Sequence, residues 1–206
     1  MTGPYELHAS LYDGDFDVLR GSSGDISFYV EEARRSGGPV LELGCGSGRI
    51  LLPTARAGVE IVGLDASRGM LDRLREKLAA EPPEVRARVE VVEGDMSSSD
   101  VGRRFPLITV PFRSIGHLLE VDAQVAAFEN MRRHLAPGGR IAFDLFHPAL
   151  GRLAAPQPER LDLERDEGGR RVRRFTSTVP HVAQQILDLA VRWEIESPAR
   201  KVEEVR

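Results

Sequence analysis

Between Pro39 and Phe146, short apolar runs alternate with stretches whose apolar residues recur every three or four positions. The runs Pro39–Leu43, Val59–Leu64, Arg88–Glu93, Phe105–Val110 and Arg140–Phe146 have the length and near-unbroken hydrophobicity of strands buried on both faces. Between them the spacing predicts a short helix over 49–57, which Gly58 can terminate, and a second helix capped by Ser67 and carrying Leu71, Leu74 and Leu78. A third runs from about Asp122 to Leu135, with Val125, Phe128, Met131 and Leu135 turned inward. Five strands alternating with helices predict an α/β fold, a doubly wound and mostly parallel sheet.

The flanking segments are of another kind. Residues 1–36 predict an N-terminal helical cap, with Ile26, Phe28, Tyr29, Val30 and Ala33 on one face and a stop at Ser36-Gly37-Gly38. The core is expected over 37–150. In 151–206, Pro156-Gln157-Pro158 and 164–169 are linker- and turn-like. Leu187, Leu189, Val191, Trp193 and Ile195 then alternate with Asp188, Arg192, Glu194 and Glu196. With Val172–Val179 before and Lys201–Val205 after, this predicts an appended antiparallel β segment.

Composition narrows the function. A chain of 206 residues, 41% hydrophobic and 29% charged, is expected to form one domain with a sizeable core. A net charge of -4 supplies no global field for nucleic acid or anionic membrane, so neither partner is expected. The basic run Arg170, Arg171, Arg173 and Arg174 is offset by nearby acids and has no aromatic stacking pattern beside it. No apolar run approaches the ~18 residues of a membrane span, and the first residues lack a signal-peptide pattern, so a cytoplasmic protein is expected. The one cysteine, Cys45, excludes an internal disulfide framework; it reads as a small residue fitting a tight turn.

The candidate chemistry lies at the strand ends, where doubly wound sheets bind ligands. Gly44, Gly46 and Gly48 follow the first strand and lead into a helix, so backbone can approach a ligand at a helix start that favours anionic groups. A dinucleotide fingerprint would need its third glycine where Arg49 stands, which disfavours NAD. Asp65 ends the second strand at a spacing suited to ribose hydroxyls, while Ser67 already serves as the next helix cap. Gly94-Asp95-Met96 follows the third strand and suits an adenine, the carboxylate taking the amine and the methionine packing on the ring. Arg113, His117 and His147 stand just past later strand ends; the histidines are candidate bases and Arg113 can orient an anionic substrate. Tyr12 and Phe16 either pack the cap on the core or form a lid.

Glu42-x-Gly44-x-Gly46-x-Gly48 resembles motif I of the class I S-adenosylmethionine (SAM) methyltransferases. Asp65, Gly94-Asp95-Met96 and the Pro137-Gly138-Gly139 turn extend the resemblance over residues 5–150. Pro111-Phe112-Arg113-Ser114-Ile115-Gly116-His117-Leu118 and Asp144-Leu145-Phe146-His147-Pro148 resemble a bacterial subgroup acting on small molecules. The resemblance implies SAM as cofactor, S-adenosyl-L-homocysteine as product, no metal, and Glu42 at the cofactor's amino-acid end. It implies further cofactor contacts from Tyr12, Gly44, Cys45, Gly46, Gly48, Ala66, Met70, Gly94 and Val110. Thr109-Val110-Pro111-Phe112 lacks the Asn/Asp-Pro-Pro-Tyr/Phe pattern of nucleobase enzymes, which points to a small-molecule acceptor. The family's sheet has seven strands and this sequence stops after the insertion, so its C-terminal elements are expected to be missing. The expectation is then a homodimer or a heteromeric partner joined through 172–205. The alternative is an inactive SAM-binding subunit that supports a partner chain.

Overall fold

The computed structural model of the protein describes residues 11, 13–15, 24–147, 151, 153–197 and 200–205, with side chains through residue 196. The chain divides into two compact units, Met1–Phe146 and His147–Arg206.

In the first unit, strands β1 (Val40–Leu43), β2 (Ile61–Asp65), β3 (Val89–Glu93), β4 (Phe105–Val110) and β5 (Leu135–Phe143) form one sheet. Its order is β3-β2-β1-β4-β5 and every pairing is parallel. Winding runs outward from β1 in one direction and resumes at β4 in the other, so β1 and β4 flank the switch point. Alternate strand residues feed two cores. Val40, Ile61 and Leu107 belong to one, with Leu51, Leu71 and Leu74. Leu41, Leu43, Val62, Leu64 and Ile108 belong to the other, with Ala127 and Met131. Burial on both faces is why β1, β2 and β4 read as mostly apolar runs, whereas the edge strands β3 and β5 are only partly buried.

Helix α1 (Asp25–Ser36) buries Tyr29 and Ala33 and stops at Gly37 in the left-handed region, φ 76°; Phe28, 54% exposed, only stacks edge-on against Tyr29. Helix α2 (Leu51–Arg56) is shorter than its pattern. Helix α3 (Arg68–Ala79) has the expected cap, Met70 N donating to Ser67 Oγ at 3.4 Å. A short helix α4 (Pro83–Arg86) follows.

Helix α5 (Val121–His134) corrects the sequence reading: its buried stripe is Ala127, Asn130, Met131 and His134, whereas Val125 and Phe128 are 51% and 41% exposed. The loop after β3 decides this. The Asn130 amide donates to the carbonyls of Met96 and Ser99 at 3.0 and 2.9 Å, and His134 Nε2 accepts from Val101 N at 3.0 Å. Loop groups that need partners inside the fold select polar side chains for the inner face, and a count of apolar positions cannot register that. Strand β5 also starts earlier than predicted. It takes Pro137-Gly138-Gly139 inside as an irregularity, Phe105 pairing Leu135 while Leu107 pairs Arg140, and Asp144–Phe146 lie beyond it.

The second unit is an antiparallel sheet, β6 (Gln157–Glu167), β7 (Arg170–His181), β8 (Ile186–Ser197) and β9 (Arg200–Val205), in that order. Strand β6 replaces the linker expected over much of 156–169; only Gly168-Gly169 remain as the turn, at φ 56° and 77°. Its acids are in register with the basic run, Glu164 opposite Arg173 and Asp166 opposite Arg171. Arg171 lies 3.8 Å from both Glu164 and Asp166, and Arg173 lies 3.6 and 3.5 Å from Glu194 and Glu196. Cross-strand pairing of opposite charges overrides the low strand propensity of these residues. Burial centres on Leu163, Val172 and Trp193, while Leu189 on the predicted apolar face is 57% exposed. No helix among the described residues is long and apolar enough to cross a membrane.

Candidate active site

The site is built where β1 turns into α2. Gly44 N and Cys45 N donate to the Leu64 carbonyl at 2.8 and 3.2 Å, which ties the loop to the end of β2. Gly46 N donates to Asp65 Oδ2 at 2.7 Å. Two of the glycines are required by close packing as well as by positive φ. A Cβ at Gly44 would meet Ser114 Cβ at 2.6 Å, and one at Gly48 would meet Leu74 Cδ1 at 2.4 Å. The loop is thus pressed between α3 and the segment that leaves β4.

Glu42, on β1 just below this loop, is 2% exposed, and its Oε2 has no hydrogen-bond partner among the described residues. Burial pushes its carboxyl well above the usual range; the Arg49 charge opposes this and Asp65 adds to it. A small cleft of ≈ 40 Å³ opens there, walled by Glu42, Gly44, Arg49, Pro111, Phe112 and Ser114. It lies at the β1/β4 switch point. A drug-sized ligand needs a few hundred Å³, so this cleft fits one end of a cofactor. The larger cleft of the first unit, ≈ 460 Å³ and lined by Asp100, Arg103, Arg104 and Arg133, includes the residue that precedes β4. It lies at the amino end of that strand and shares no residue with the site.

The segment after β4 is held in an uncommon shape. Phe112 and Arg113 both adopt positive φ, 60° and 61°. The Arg49 guanidinium lies 5.2 Å from the Phe112 ring and is ion-paired with Asp25. The Arg113 guanidinium lies 5.9 Å from the Phe112 ring and 5.0 Å from that of Phe146. Asp144 Oδ1 accepts from Phe112 N at 2.6 Å and from the Tyr29 hydroxyl at 2.8 Å. Beside the glycine loop, Ser47 Oγ donates to Asp13 Oδ1 at 2.5 Å, and Arg73 and Lys77 reach the same carboxylate at 3.0 and 3.1 Å.

The remaining predicted residues have varied surroundings. Asp65 also accepts from Ser67 N at 2.8 Å; burial raises its carboxyl and these backbone bonds oppose the rise. Asp95 is exposed and accepts from Ser97 N at 2.7 Å, and Met96 Cε comes within 3.5 Å of the Cβ position of Gly44. Gly94 is tight against Ser99, and Ala66 is exposed at the end of β2. Met70 is buried and its Cε lies 3.2 Å from a Cβ at Gly46, a prop beneath the loop. Cys45 is 4% exposed with its thiol pushed well up by burial, so it packs and does not react. Val110 is fully buried in the core. His117 closes the 3-10 turn Ser114–His117; partial burial lowers its ring below 6.5, and the Asp65 charge opposes that. His147 is exposed and is the first residue of the second unit. Tyr12 and Phe16 lie outside the described residues. Tyr29, Ser114, Asp13 and Asp144 were not singled out as site residues, although the sequence motifs already contain Ser114 and Asp144.

Sheet order sets Glu42, Asp65 and Asp95 in line across the carboxyl ends of β1, β2 and β3. An orphaned buried carboxylate fits an ammonium group, and a loop-tied carboxylate beside it fits ribose hydroxyls. Such an arrangement defines a nucleoside-type cofactor site with a cationic end, which is what SAM carries.

A family model described as "Methyltransferase domain" matches residues 40–139. The chain is 30% identical over 186 residues to a cypemycin N-terminal methyltransferase of a Streptomyces species, covering 89% of this chain and 72% of that protein. It is 28% identical to a dTDP-3-amino-3,4,6-trideoxy-alpha-D-glucopyranose N,N-dimethyltransferase of Streptomyces venezuelae, with 68% of this chain and 58% of that protein covered. A glycopeptide N-methyltransferase, MtfA, solved with SAM, is 27% identical with a TM-score of 0.55 over 80% of this chain and 70% of that one. The chain belongs to the SAM-dependent methyltransferases, and SAM is its cofactor.

Proposed function

We propose that this methyltransferase alkylates an amine nitrogen of a small-molecule or peptidic acceptor. The observation that carries the cofactor half is the partnerless Glu42 oxygen in the cleft. The acceptor half is supported by relatives whose names specify N-methylation of a peptide N-terminus, an amino sugar and a glycopeptide. Bound SAM supplies an electrophilic methyl group on a sulfonium.

Glu42 holds the cofactor's ammonium end, Asp65 its ribose hydroxyls, and Asp95 with Met96 its adenine. Pro111, Phe112 and Ser114 line the cleft and would face the cofactor's methyl group. Held there, the cofactor would offer its methyl carbon to the amine lone pair, a new C–N bond replacing the C–S bond, whose electron pair would stay on sulfur. The alkylated nitrogen is an ammonium and must lose a proton before a second transfer. His117, whose ring pKa desolvation pushes down while the Asp65 charge opposes this, accepts it. Orientation supplies most of the rate, an effect worth up to ~7–11 kcal/mol. Arg113 orients an anionic group of the acceptor. His147 remains the second candidate base on the acceptor side. Self-association through 172–205 and a cytoplasmic location complete the reading, the latter in keeping with a cofactor made inside cells.

The test is label transfer from methyl-labelled SAM to a panel of amino sugars and peptides with free α-amines, beside their hydroxyl counterparts. Label in the amines alone supports the reading. Label in the hydroxyl compounds overturns it.

A further inference from the structure

The Asp144 carboxylate joins three distant segments at one oxygen. Its Oδ1 accepts from Phe112 N at 2.6 Å, 32 residues away in sequence, and from the Tyr29 hydroxyl at 2.8 Å, 115 residues away. Tyr29 is 2% exposed, so its hydroxyl has no water to fall back on. Burial and the Asp144 bond together push the Tyr29 hydroxyl far up, which keeps it a donor at all physiological pH. Phe112 and Arg113 sit in consecutive left-handed conformations although neither is glycine, asparagine or aspartate. Such residues are strained and persist only when their surroundings over-determine them. Local bonds within the turn, Ser114 Oγ to the Pro111 carbonyl at 2.7 Å and Gly116 N to the Arg113 carbonyl at 2.7 Å, fix its downstream half. At Phe112 N the fastening is the Asp144 carboxylate, a charge-assisted bond.

What the strained turn positions is the wall of the cofactor cleft. Phe112 lines the cleft opposite Glu42, and its ring carries the Arg49 and Arg113 guanidinium groups. Released from Asp144, the two residues would be free to relax toward negative φ and shift the Phe112 ring that lines the cleft. We infer that Asp144 is a positioning residue for methyl transfer: backed by Tyr29, it latches the Phe112–Arg113 turn against the glycine loop, so the methyl side of the cleft is preformed before cofactor arrives. This rests on the methyltransferase reading above. It adds a residue that touches neither the cofactor's charged groups nor the acceptor, and assigns helix α1 a part in the site through Tyr29.

The experiment compares wild type with D144A, D144N and Y29F. S-adenosylhomocysteine affinity is measured by calorimetry and folding by circular dichroism melting. D144N keeps an acceptor at Oδ1 and should hold affinity within about threefold. D144A should lose at least about tenfold in affinity while retaining a native spectrum and a cooperative melt at the assay temperature. Y29F leaves Asp144 bonded to Phe112 and should fall between them. Failure of wild type to bind S-adenosylhomocysteine would sink the underlying reading. Binding by wild type with equal affinity in D144A would sink the latch alone. Equal losses in D144A and D144N would also overturn it, since the acceptor geometry would then be irrelevant. If D144A does not fold, the D144N and Y29F pair decides: affinity within about threefold of wild type in D144N beside a larger loss in Y29F, at an unchanged melt, upholds the latch, and wild-type affinity in Y29F refutes it.

Discussion

Replacing Glu42 by Gln should make the free protein more stable and the cofactor bind more weakly, two effects of opposite sign from one carboxylate. In the free protein Glu42 is 2% exposed with Oε2 unpartnered, and its carboxyl is raised well above 4.5 by burial. A carboxyl raised on folding contributes stability that is fully present below its unfolded value and lost as pH climbs through the folded value. Each pH unit between the ordinary 4.5 and the raised folded value costs ~1.36 kcal/mol, so wild type loses stability steadily as pH climbs from 4.5. Gln removes the charge but keeps a buried amide with polar atoms to satisfy, a cost of about 1–3 kcal/mol. The net expectation is stabilisation at pH 7, read as a higher melting point of the first unit. The rise should vanish as pH falls toward 4.5, where wild type carries the proton itself. In the opposite direction, loss of a charge-assisted bond to the cofactor's ammonium costs on the order of 1.5–3 kcal/mol, or about 10–100-fold in SAM affinity. Differential scanning calorimetry across pH 4.5–8 and titration calorimetry with SAM read the two effects separately. A variant whose stability relative to wild type does not rise between pH 4.5 and 7, or one that binds SAM equally well, refutes the assignment of Glu42.

Asp65→Asn keeps an acceptor for Gly46 N or Ser67 N, so the loop should stay folded while S-adenosylhomocysteine affinity falls about 10–100-fold; equal affinity in calorimetry removes Asp65 from the ribose site. The same substitution deletes the charge that holds His117 up, so the His117 ring resonance should titrate at lower pH than in wild type, and a shift upward contradicts the coupling. With an acceptor from the amine panel, His117→Ala should abolish the acid limb of kcat/KM, which lies below pH 6.5, and leave S-adenosylhomocysteine affinity intact; a persisting limb assigns the base elsewhere. Asn130→Ala strands the Met96 and Ser99 carbonyls and should cost about 2–3 kcal/mol, seen as a melting point lower by roughly 4–12 °C; an unchanged melt shows that water replaces the amide.

Much of the first unit was legible in the sequence because its determinants are local. Both faces of the sheet are covered, so Val40–Leu43, Ile61–Asp65 and Phe105–Val110 had to be mostly apolar, with Glu42 and Asp65 the charged exceptions, and that pattern survives in one dimension. The glycines at 44, 46 and 48 and the acids at 42 and 65 are fixed by a turn and by strand ends, features that span a few residues. The second unit was legible in its three apolar strands and missed in its fourth. Strand β6 is held by Glu164 and Asp166 facing arginines on β7, and charge pairing leaves no hydrophobic period.

Tertiary structure alone decided which polar groups are inside. Nothing periodic marks Asn130 and His134 for the inner face of α5; they are there because the loop after β3 presents carbonyls and an amide that need partners. The sequence also determined that a carboxylate would stand at position 42, but not that one of its oxygens would be left without a partner beside the cleft. The latch at Asp144 is the clearest case, since its partners lie 32 and 115 residues away and meet only when β5, the turn after β4 and α1 are assembled. Periodicity and spacing encode what a segment does with its near neighbours, whereas these contacts exist only once chain segments with no local relation have been brought to within a hydrogen bond of each other.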